Sequence, residues 1–214
     1  MTSDLVSTGV GPGIDPLPWG RMKRLSPEWY GGHAFVHWTY TAQGPKTGWL
    51  DANFHARFRE LHLHTLARYR LLGLVYCLMP DHLHILWAGL ILDSDQDRAA
   101  SFLHKHLGRA FVERGGALQK QAWDVVLRQK DRERNALLRE VFYIAENPVR
   151  EGLVSAAKDW PYSGAQAAGY PELDWRMPDF HERVWTIYET ETKTGAGSRA
   201  APGRNGSAPL PGPG

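Results

Sequence analysis

Apolar residues along this chain occur either in unbroken runs of strand length or at helical spacing. Four segments have the β-branched, aromatic or continuously apolar composition of strands: residues 33–42, 71–79, 82–88 and 122–128. The second and third segments are separated only by Pro80-Asp81, a dipeptide typical of tight turns. We therefore predict that these two segments form an antiparallel hairpin.

Segments with apolar residues at helical spacing lie between these strands or after them. Three helices are predicted, over residues 51–68, 98–114 and 133–146. Gly115-Gly116 ends the second helix, and Asn147-Pro148 ends the third. The order strand, helix, strand, strand, helix, strand, helix predicts an α+β fold of the ferredoxin-like, split βαβ type. We expect an antiparallel sheet with its helices on one face.

The two ends of the chain differ in composition from its middle. Gly and Pro are frequent in residues 1–20 and, with Ser and Ala, in residues 190–214, so we predict a flexible N-terminal arm and a disordered tail. The length of 214 residues leaves one domain over residues 21–189. The part of that domain after Tyr162 is rich in Trp and Tyr, and we expect this aromatic C-terminal extension to pack on the sheet.

Composition excludes several classes of protein. The 11% aromatic content is too high for a wholly disordered chain. Cys77 is the only cysteine, so an intramolecular disulfide is excluded, and no basic start with an apolar run indicates secretion. The apolar region 71–92 is interrupted by Asp81 and His82, which are unfavourable in a bilayer. We therefore expect a protein of the reducing cytoplasm with no membrane partner.

Charge is unevenly distributed, although the formal net charge is only +2. Residues 98–150 contain 11 Lys and Arg against 6 Asp and Glu, whereas residues 151–190 contain 3 against 7. A basic middle is compatible with a surface that faces phosphates, because Lys and Arg neutralise phosphates and release counterions. The alternative is a solvated helical face without a ligand.

A histidine pair lies in the third predicted strand. His82 and His84 flank Leu83, and since side chains alternate across a strand, both imidazoles are expected on one face, where they can reach one metal ion. His62 and His64 have the same spacing, but in a predicted helix residues two apart diverge by about 200°. The alternative for the strand pair is two polar residues on a solvated sheet face.

A further candidate for the same chemistry lies in the third predicted helix. Tyr143 and Asn147 are spaced i, i+4 and therefore share one helix face. Asn147 offers a carbonyl oxygen, which suits Mg²⁺ or Mn²⁺, and Tyr143 offers a phenol that can act as a nucleophile. A tyrosine on an amphipathic helix is, however, often a core or rim aromatic.

Two segments of the chain resemble a known family. They are Tyr76-Cys-Leu-Met-Pro-Asp-His-Leu-His-Ile-Leu-Trp87 and Tyr143-Ile-Ala-Glu-Asn-Pro-Val-Arg-Glu-Gly-Leu-Val154. In this order they resemble the HUH single-tyrosine transposases, and among these the REP-associated tyrosine transposases. The similarity extends over roughly residues 24–162.

The resemblance implies an activity and its residues. It implies that His82 and His84 bind a divalent metal, Mg²⁺ or Mn²⁺, that Asn147 completes the metal site, and that Tyr143 is the catalytic tyrosine. The implied enzyme is a tyrosine transposase that nicks single-stranded DNA, forms a 5′-phosphotyrosine link and transfers strands at hairpin-forming repeats. A monomer or a homodimer, associated with the nucleoid, is expected. Asp81 replaces the Asn that is common in relatives, and could bind the metal, raise its affinity or cap the turn.

Several side chains are candidates for binding DNA. Lys105 and Arg109 lie i, i+4 on the second predicted helix and can form one phosphate-facing stripe. Further basic candidates follow near the last strand-to-helix turn, namely Arg128, Lys130, Arg132 and Arg134. Exposed aromatic residues such as Trp38, Tyr40 or Trp87 could stack on unpaired bases, although a core position is the alternative for each.

Two other functions fit the same residues. A domesticated DNA-binding protein of the same fold would bind DNA without cleaving it. A zinc-dependent hydrolase would use the histidine pair with a third strong ligand and an open water position. Asp81 is the adjacent candidate for that third ligand, but adjacent residues of a strand face opposite ways.

Overall fold

The computed structural model describes residues 25–43, 48–127 and 134–197. Its strands are β1 (Phe35–Gln43), β2 (Leu71–Leu78), β3 (His82–Gly89), β4 (Ala117–Leu118), β5 (Trp123–Val126) and β6 (Ser163–Ala167). Its helices are α1 (Ala52–Tyr69), α2 (Gln96–Val112), α3 (Arg134–Ala145), α4 (Asn147–Arg150) and α5 (Phe180–Gly197), with short 3-10 turns at Pro27–Tyr30 and Ala157–Asp159. The predicted arm at residues 1–20 lies outside the described residues.

The strands form one antiparallel sheet with the order β4-β1-β3-β2-β6, and β5 also pairs with β1. The predicted hairpin of β2 and β3 is present, and it is closed by a hydrogen bond from the Met79 backbone N–H to the His82 carbonyl at 2.7 Å. β3 lies in the middle of the sheet, between β1 and β2. The histidine pair therefore occupies the start of a central strand.

Each face of the sheet has its own apolar core. On one face, Leu83, Ile85 and Trp87 of β3 belong to a buried cluster to which α1 and α2 contribute. On the other face, Leu86 and Ala88 belong to a second cluster with residues of α3 and α5. We call these the α1/α2 face and the α3/α5 face.

The predicted α+β class with an antiparallel sheet is confirmed, with one correction. The expectation that the helices lie on one face is replaced by helices on both faces. The physical reason is that β2 is buried at all of its positions, and β3 at most of its positions. A strand that is apolar on both sides needs a covering layer on each side.

The C-terminal part adds two elements that the apolar pattern did not predict. β6 pairs with β2 at the edge of the sheet, and α5 packs its residues Phe180, Val184 and Ile187 into the core of the α3/α5 face. α5 continues to Gly197, past residue 190, where the tail was predicted to begin. Residues 198–214 lie outside the described residues. Among the described helices, none is both long and apolar enough to cross a membrane.

Candidate metal and nucleophile site

The β2–β3 turn positions the histidine pair. The Asp81 carbonyl accepts a hydrogen bond from the Ala42 backbone N–H at 2.8 Å, which ties the turn to the end of β1. His82 and His84 then project from alternate positions of β3 to the α3/α5 face. Their Nε2 atoms lie 3.0 Å apart. The structure therefore brings the two predicted ligands together as the strand spacing predicted.

The other ring nitrogens of the pair are engaged on both sides. His82 Nδ1 lies 2.6 Å from a carboxylate oxygen of Asp81. His84 Nδ1 lies 3.0 Å from His37 Nε2, and His37 Nδ1 lies 3.0 Å from Glu140 Oε1. The five side chains form one row, with a carboxylate at each end and the two facing Nε2 atoms at its middle.

Which ring nitrogens in this row carry a hydrogen determines what the histidine pair can bind. Ionised carboxylates only accept hydrogen bonds. With neutral rings, Asp81 therefore accepts a hydrogen bond from the Nδ1–H of His82, and Glu140 accepts one from the Nδ1–H of His37. His37 Nε2 then carries only a lone pair and accepts from His84 Nδ1–H. The Nε2 atoms of His82 and His84 are left as two lone pairs that face each other. Two such lone pairs are unfavourable unless a cation lies against both.

The residues present therefore fit a divalent cation at the histidine pair. Two cis ligands of an octahedral ion, each about 2.1 Å from the metal, are about 3.0 Å apart, which equals the separation of the two Nε2 atoms. Burial, and after it the positive charge of neighbouring groups including Arg150, lower the pKa of His84 to about 2. The His84 ring is thus neutral and free to offer its lone pair at physiological pH.

Tyr143 projects from α3, which packs against β2 and β3 on the same face of the sheet as the histidine pair. Its side chain is 56% exposed. The Arg150 guanidinium lies 4.1 Å from the centre of its ring, and the same side chain donates to the Tyr143 carbonyl at 2.9 Å. The phenol is therefore accessible and lies beside a fixed positive charge.

Asn147 is one turn after Tyr143, as the helical spacing predicted, but its side chain faces the helix end. Its Nδ2 donates to the Ile144 carbonyl at 2.9 Å, and its Oδ1 accepts from Arg150 at 2.8 Å. The recorded contacts of Asn147 are thus with α3 and Arg150 rather than with the histidine pair.

Within the described residues, no group of three or more His, Cys, Asp and Glu side chains is arranged to hold one ion. His37 is a further histidine in contact with the pair, but its Nε2 points at the Nδ1 of His84. Asp81 likewise contacts the outer nitrogen of His82. Both side chains therefore orient the pair and do not add a third strong ligand of the kind that a zinc hydrolase requires.

The predicted DNA-binding residues occupy another part of the molecule. Lys105 and Arg109 lie on α2, beside an open groove between that helix and β4. α2 covers the α1/α2 face, so these two side chains and Tyr143 are on opposite sides of the sheet. The other predicted basic residues, Arg128, Lys130 and Arg132, lie outside the described residues, and so does the side chain of Arg134.

The aromatic residues proposed for stacking are core residues. Trp38, Tyr40 and Trp87 are at most 1% exposed and pack on the α1/α2 face, which confirms the core position given for each as the alternative to stacking. Trp123 of β5 is 42% exposed. Thr39 pairs with Trp123 on one side and with His84 on the other, and directly opposed residues in antiparallel strands share a face. Trp123 therefore lies in the same row of the sheet as His84.

Sequence reasoning missed four residues of this site: His37, Thr39, Glu140 and Arg150. His37 and Thr39 alternate with the apolar residues of β1, a signal that assigns them to one face. Nothing in a single sequence gives the register that sets them opposite Leu86 and His84. Arg150 belongs to the second motif segment. Its spacing from Tyr143 in that segment was the signal that could have identified it as a site residue.

No family model matches the chain. The chain is 29% identical to the "Putative REP-associated tyrosine transposase" of Haemophilus influenzae, over 55% of this chain and 74% of that protein. It is also similar to a solved structure of a REP-associated tyrosine transposase bound to a REP hairpin, with a TM-score of 0.55, 21% identity and coverage of 67% of this chain and 81% of that chain. The resemblance to the REP-associated tyrosine transposases is thereby confirmed.

Proposed function

We propose that this protein is a tyrosine transposase that nicks and rejoins single-stranded DNA at hairpin-forming repeats. The observation that carries the proposal is the pair of facing Nε2 atoms of His82 and His84, 3.0 Å apart, on the sheet face against which the Tyr143 helix packs. The relative from Haemophilus influenzae bears a transposase name, which supports the same activity.

The proposed reaction conserves the phosphodiester bond. The Tyr143 oxygen attacks phosphorus in single-stranded DNA, a bond from that oxygen to phosphorus forms, and the bond from phosphorus to the 3′ oxygen breaks. The phenol loses its proton and the leaving 3′ oxygen gains one. The products are a 5′-phosphotyrosine link and a free 3′-hydroxyl. The reverse attack by a 3′-hydroxyl joins strands without ATP.

The side chains around Tyr143 address two difficulties of this step. A phenol is a weak nucleophile at neutral pH, and the phosphodiester repels anions. Arg150 sets a guanidinium 4.1 Å from the Tyr143 ring centre, where it stabilises negative charge on the phenol and on a phosphate. His82 and His84 would hold a divalent cation, Mg²⁺ or Mn²⁺, which would supply polarisation of a non-bridging phosphate oxygen.

The proposed substrate is hairpin DNA with unpaired bases beside its stem. The structural relative is described as bound to a REP hairpin, which supports this class of DNA for the present chain. Trp123 offers an exposed indole in the sheet row of His84, a position suited to stacking on an unpaired base next to the scissile phosphate. Lys105 and Arg109 of the α2 groove are suited to phosphates of the stem.

A covalent adduct assay tests this function. The purified protein is incubated with labelled hairpin DNA from repeats that flank its gene, with Mn²⁺ or with EDTA, and resolved on a denaturing protein gel. Tyr143→Phe removes the proposed nucleophile. Tyr69→Phe, which changes a partly buried tyrosine of α1, is the matched control.

We expect a protein–DNA adduct that requires Mn²⁺, persists in Tyr69→Phe and disappears in Tyr143→Phe. Hairpin binding without an adduct in the wild-type protein would contradict cleavage and identify a domesticated binding protein. An adduct that persists in Tyr143→Phe would show that another residue is the nucleophile.

A further inference from the structure

His37 of β1 and Glu140 of α3 link the two parts of the candidate site. His37 Nδ1 lies 3.0 Å from Glu140 Oε1, and His37 Nε2 lies 3.0 Å from His84 Nδ1. Glu140 stands one helical turn before Tyr143, at i, i+3 spacing. The side chain of His37 therefore links the helix that carries the tyrosine to the His84 ring of β3, and we call its contact with Glu140 the Glu140–His37 bridge.

We propose that the Glu140–His37 bridge positions both reactive groups of the site. It holds the His84 ring in the tautomer that directs Nε2 at a divalent cation, and it fixes α3 so that Tyr143 keeps one place relative to that cation. The proposal rests on the proposed function for the role of Tyr143. His37 and Glu140 are positioning residues, because they act on the site through the outer nitrogen of His84.

The tautomer is selected from the Glu140 end of the bridge. The Glu140 carboxylate only accepts, so a neutral His37 ring donates its Nδ1–H to it and presents a lone pair at Nε2. That lone pair requires a hydrogen on His84 Nδ1, which leaves His84 Nε2 free. Thr39 Oγ1 also lies 3.1 Å from His84 Nδ1, but a hydroxyl donates or accepts equally well and selects no tautomer.

The bridge is not needed to hold α3 on the sheet. Leu137, Val141 and Ile144 of α3 are buried in the core of the α3/α5 face. The side chain of Glu140 is 28% exposed and that of His37 is 10% exposed. Apolar packing thus holds α3 in place, whereas groups that orient a ligating histidine change metal affinity strongly. The bridge is therefore expected to act on orientation more than on folding.

Three variants and a control separate these roles. Glu140→Ala removes the acceptor, and His37→Phe keeps a ring but removes both nitrogens. Glu140→Gln retains an oxygen that can accept from His37 Nδ1, so it is the conservative variant. Glu146→Gln, which changes an exposed carboxylate just after the end of the same helix, is the control.

The first two readouts do not depend on DNA. Mn²⁺ affinity is measured by the paramagnetic resonance signal of the free ion, and the tautomer of His84 is read from its ring ¹⁵N chemical shifts. We expect Glu140→Ala and His37→Phe to lose about 10- to 100-fold in Mn²⁺ affinity and to move hydrogen from Nδ1 to Nε2 of His84. Glu140→Gln should lose less, and Glu146→Gln should match the wild type. Wild-type affinity and tautomer in both disruptive variants would overturn the proposal.

The adduct assay distinguishes failure of this inference from failure of the proposed function. If the wild-type protein forms no adduct but the variants lose Mn²⁺ affinity and the Nδ1–H tautomer, the positioning of His84 stands and the transposase activity fails. If the wild-type protein forms the adduct and Glu140→Ala forms it at the same rate with unchanged Mn²⁺ affinity, the activity stands and the bridge has no positioning role.

Discussion

His82 Nε2 lies 3.0 Å from His84 Nε2, and the opposite nitrogen of each ring is turned towards a group that fixes its proton. Asp81 fixes His82 directly, and Glu140 fixes His84 through His37. A carboxylate at each end of the row thus leaves the two inner nitrogens as facing lone pairs. This relationship is the strongest structural reason to expect a cation at the pair.

Removing either inner nitrogen should abolish tight cation binding. His82→Ala and His84→Ala each leave one imidazole, and we expect Mn²⁺ affinity to fall at least about 10-fold in calorimetric titrations. His64→Ala is the control, because His64 has the same i, i+2 relation to His62 but is exposed on α1. Equal affinities in all three variants would place the ion elsewhere.

Trp123 should contribute to single-stranded DNA binding but not to duplex binding. Stacking of a base on an aromatic side chain is worth roughly 1–3 kcal/mol, so Trp123→Ala should weaken binding of an oligonucleotide about 5- to 150-fold in fluorescence anisotropy. Trp29→Ala removes an indole of similar exposure far from the histidine row in sequence and serves as the control. A loss of the same size in both variants would argue against a specific stacking position.

Arg150 should affect the chemical step more than DNA binding. It contacts the Tyr143 ring and carbonyl as well as Asn147, and a lysine cannot reproduce these contacts with one ammonium group. We expect Arg150→Lys to slow adduct formation at least about 10-fold, with hairpin affinity within a few-fold of wild type. Arg139→Lys, an exposed change on α3, should leave the rate unchanged. Equal rates for Arg150→Lys and wild type would exclude this role.

His62 should make the stability of the fold depend on pH. It is fully buried, accepts from Trp87 Nε1 at 2.8 Å and pairs with Gln166 at 2.7 Å. Burial lowers its pKa from 6.5 to about 4, so the unfolded chain binds more protons between these values and stability falls as pH drops from 6.5 towards 4. This one group lowers the free energy of unfolding by about 3 kcal/mol once the pH has fallen below its folded-state pKa.

His62→Gln isolates that contribution. A glutamine can accept from Trp87 and donate to Gln166, but it does not titrate. Denaturant unfolding across pH 7 to 4 should show a smaller loss of stability for the variant than for the wild type. Parallel pH profiles would contradict a neutral His62 in the folded protein. His55, whose pKa is also lowered to about 4 by burial, contributes equally to both profiles.

The parts of the site that local pattern determines could be predicted, and the parts that strand register determines could not. Alternation along β3 places His82 and His84 on one face whatever surrounds them. Helical spacing likewise places Asn147 one turn after Tyr143. His37 and Glu140 reach the pair only because β1 pairs with β3 in one register and α3 packs across the sheet.

β6 illustrates a strand that sequence pattern misses. Its residues, Ser163–Ala167, are small except for Gln166, and they lack the β-branched and aromatic side chains that identify strands. The structure explains the composition: a Cβ at Gly164 would lie 2.5 Å from the Tyr76 hydroxyl. The edge strand is therefore selected for close approach to β2 and not for strand propensity. The helices on both faces follow from the two-sided burial of β2 and β3.

Mass spectrometry of the adduct tests the central claim most directly. The protein is incubated with Mn²⁺ and hairpin DNA, digested with nuclease and protease, and its peptides are searched for a tyrosine that carries a 5′-linked nucleotide. The account predicts that this modification lies on Tyr143, requires Mn²⁺ and is lost in His82→Ala. A nucleotide on another residue, or none on a protein that binds the hairpin, would contradict tyrosine-mediated strand transfer at this site.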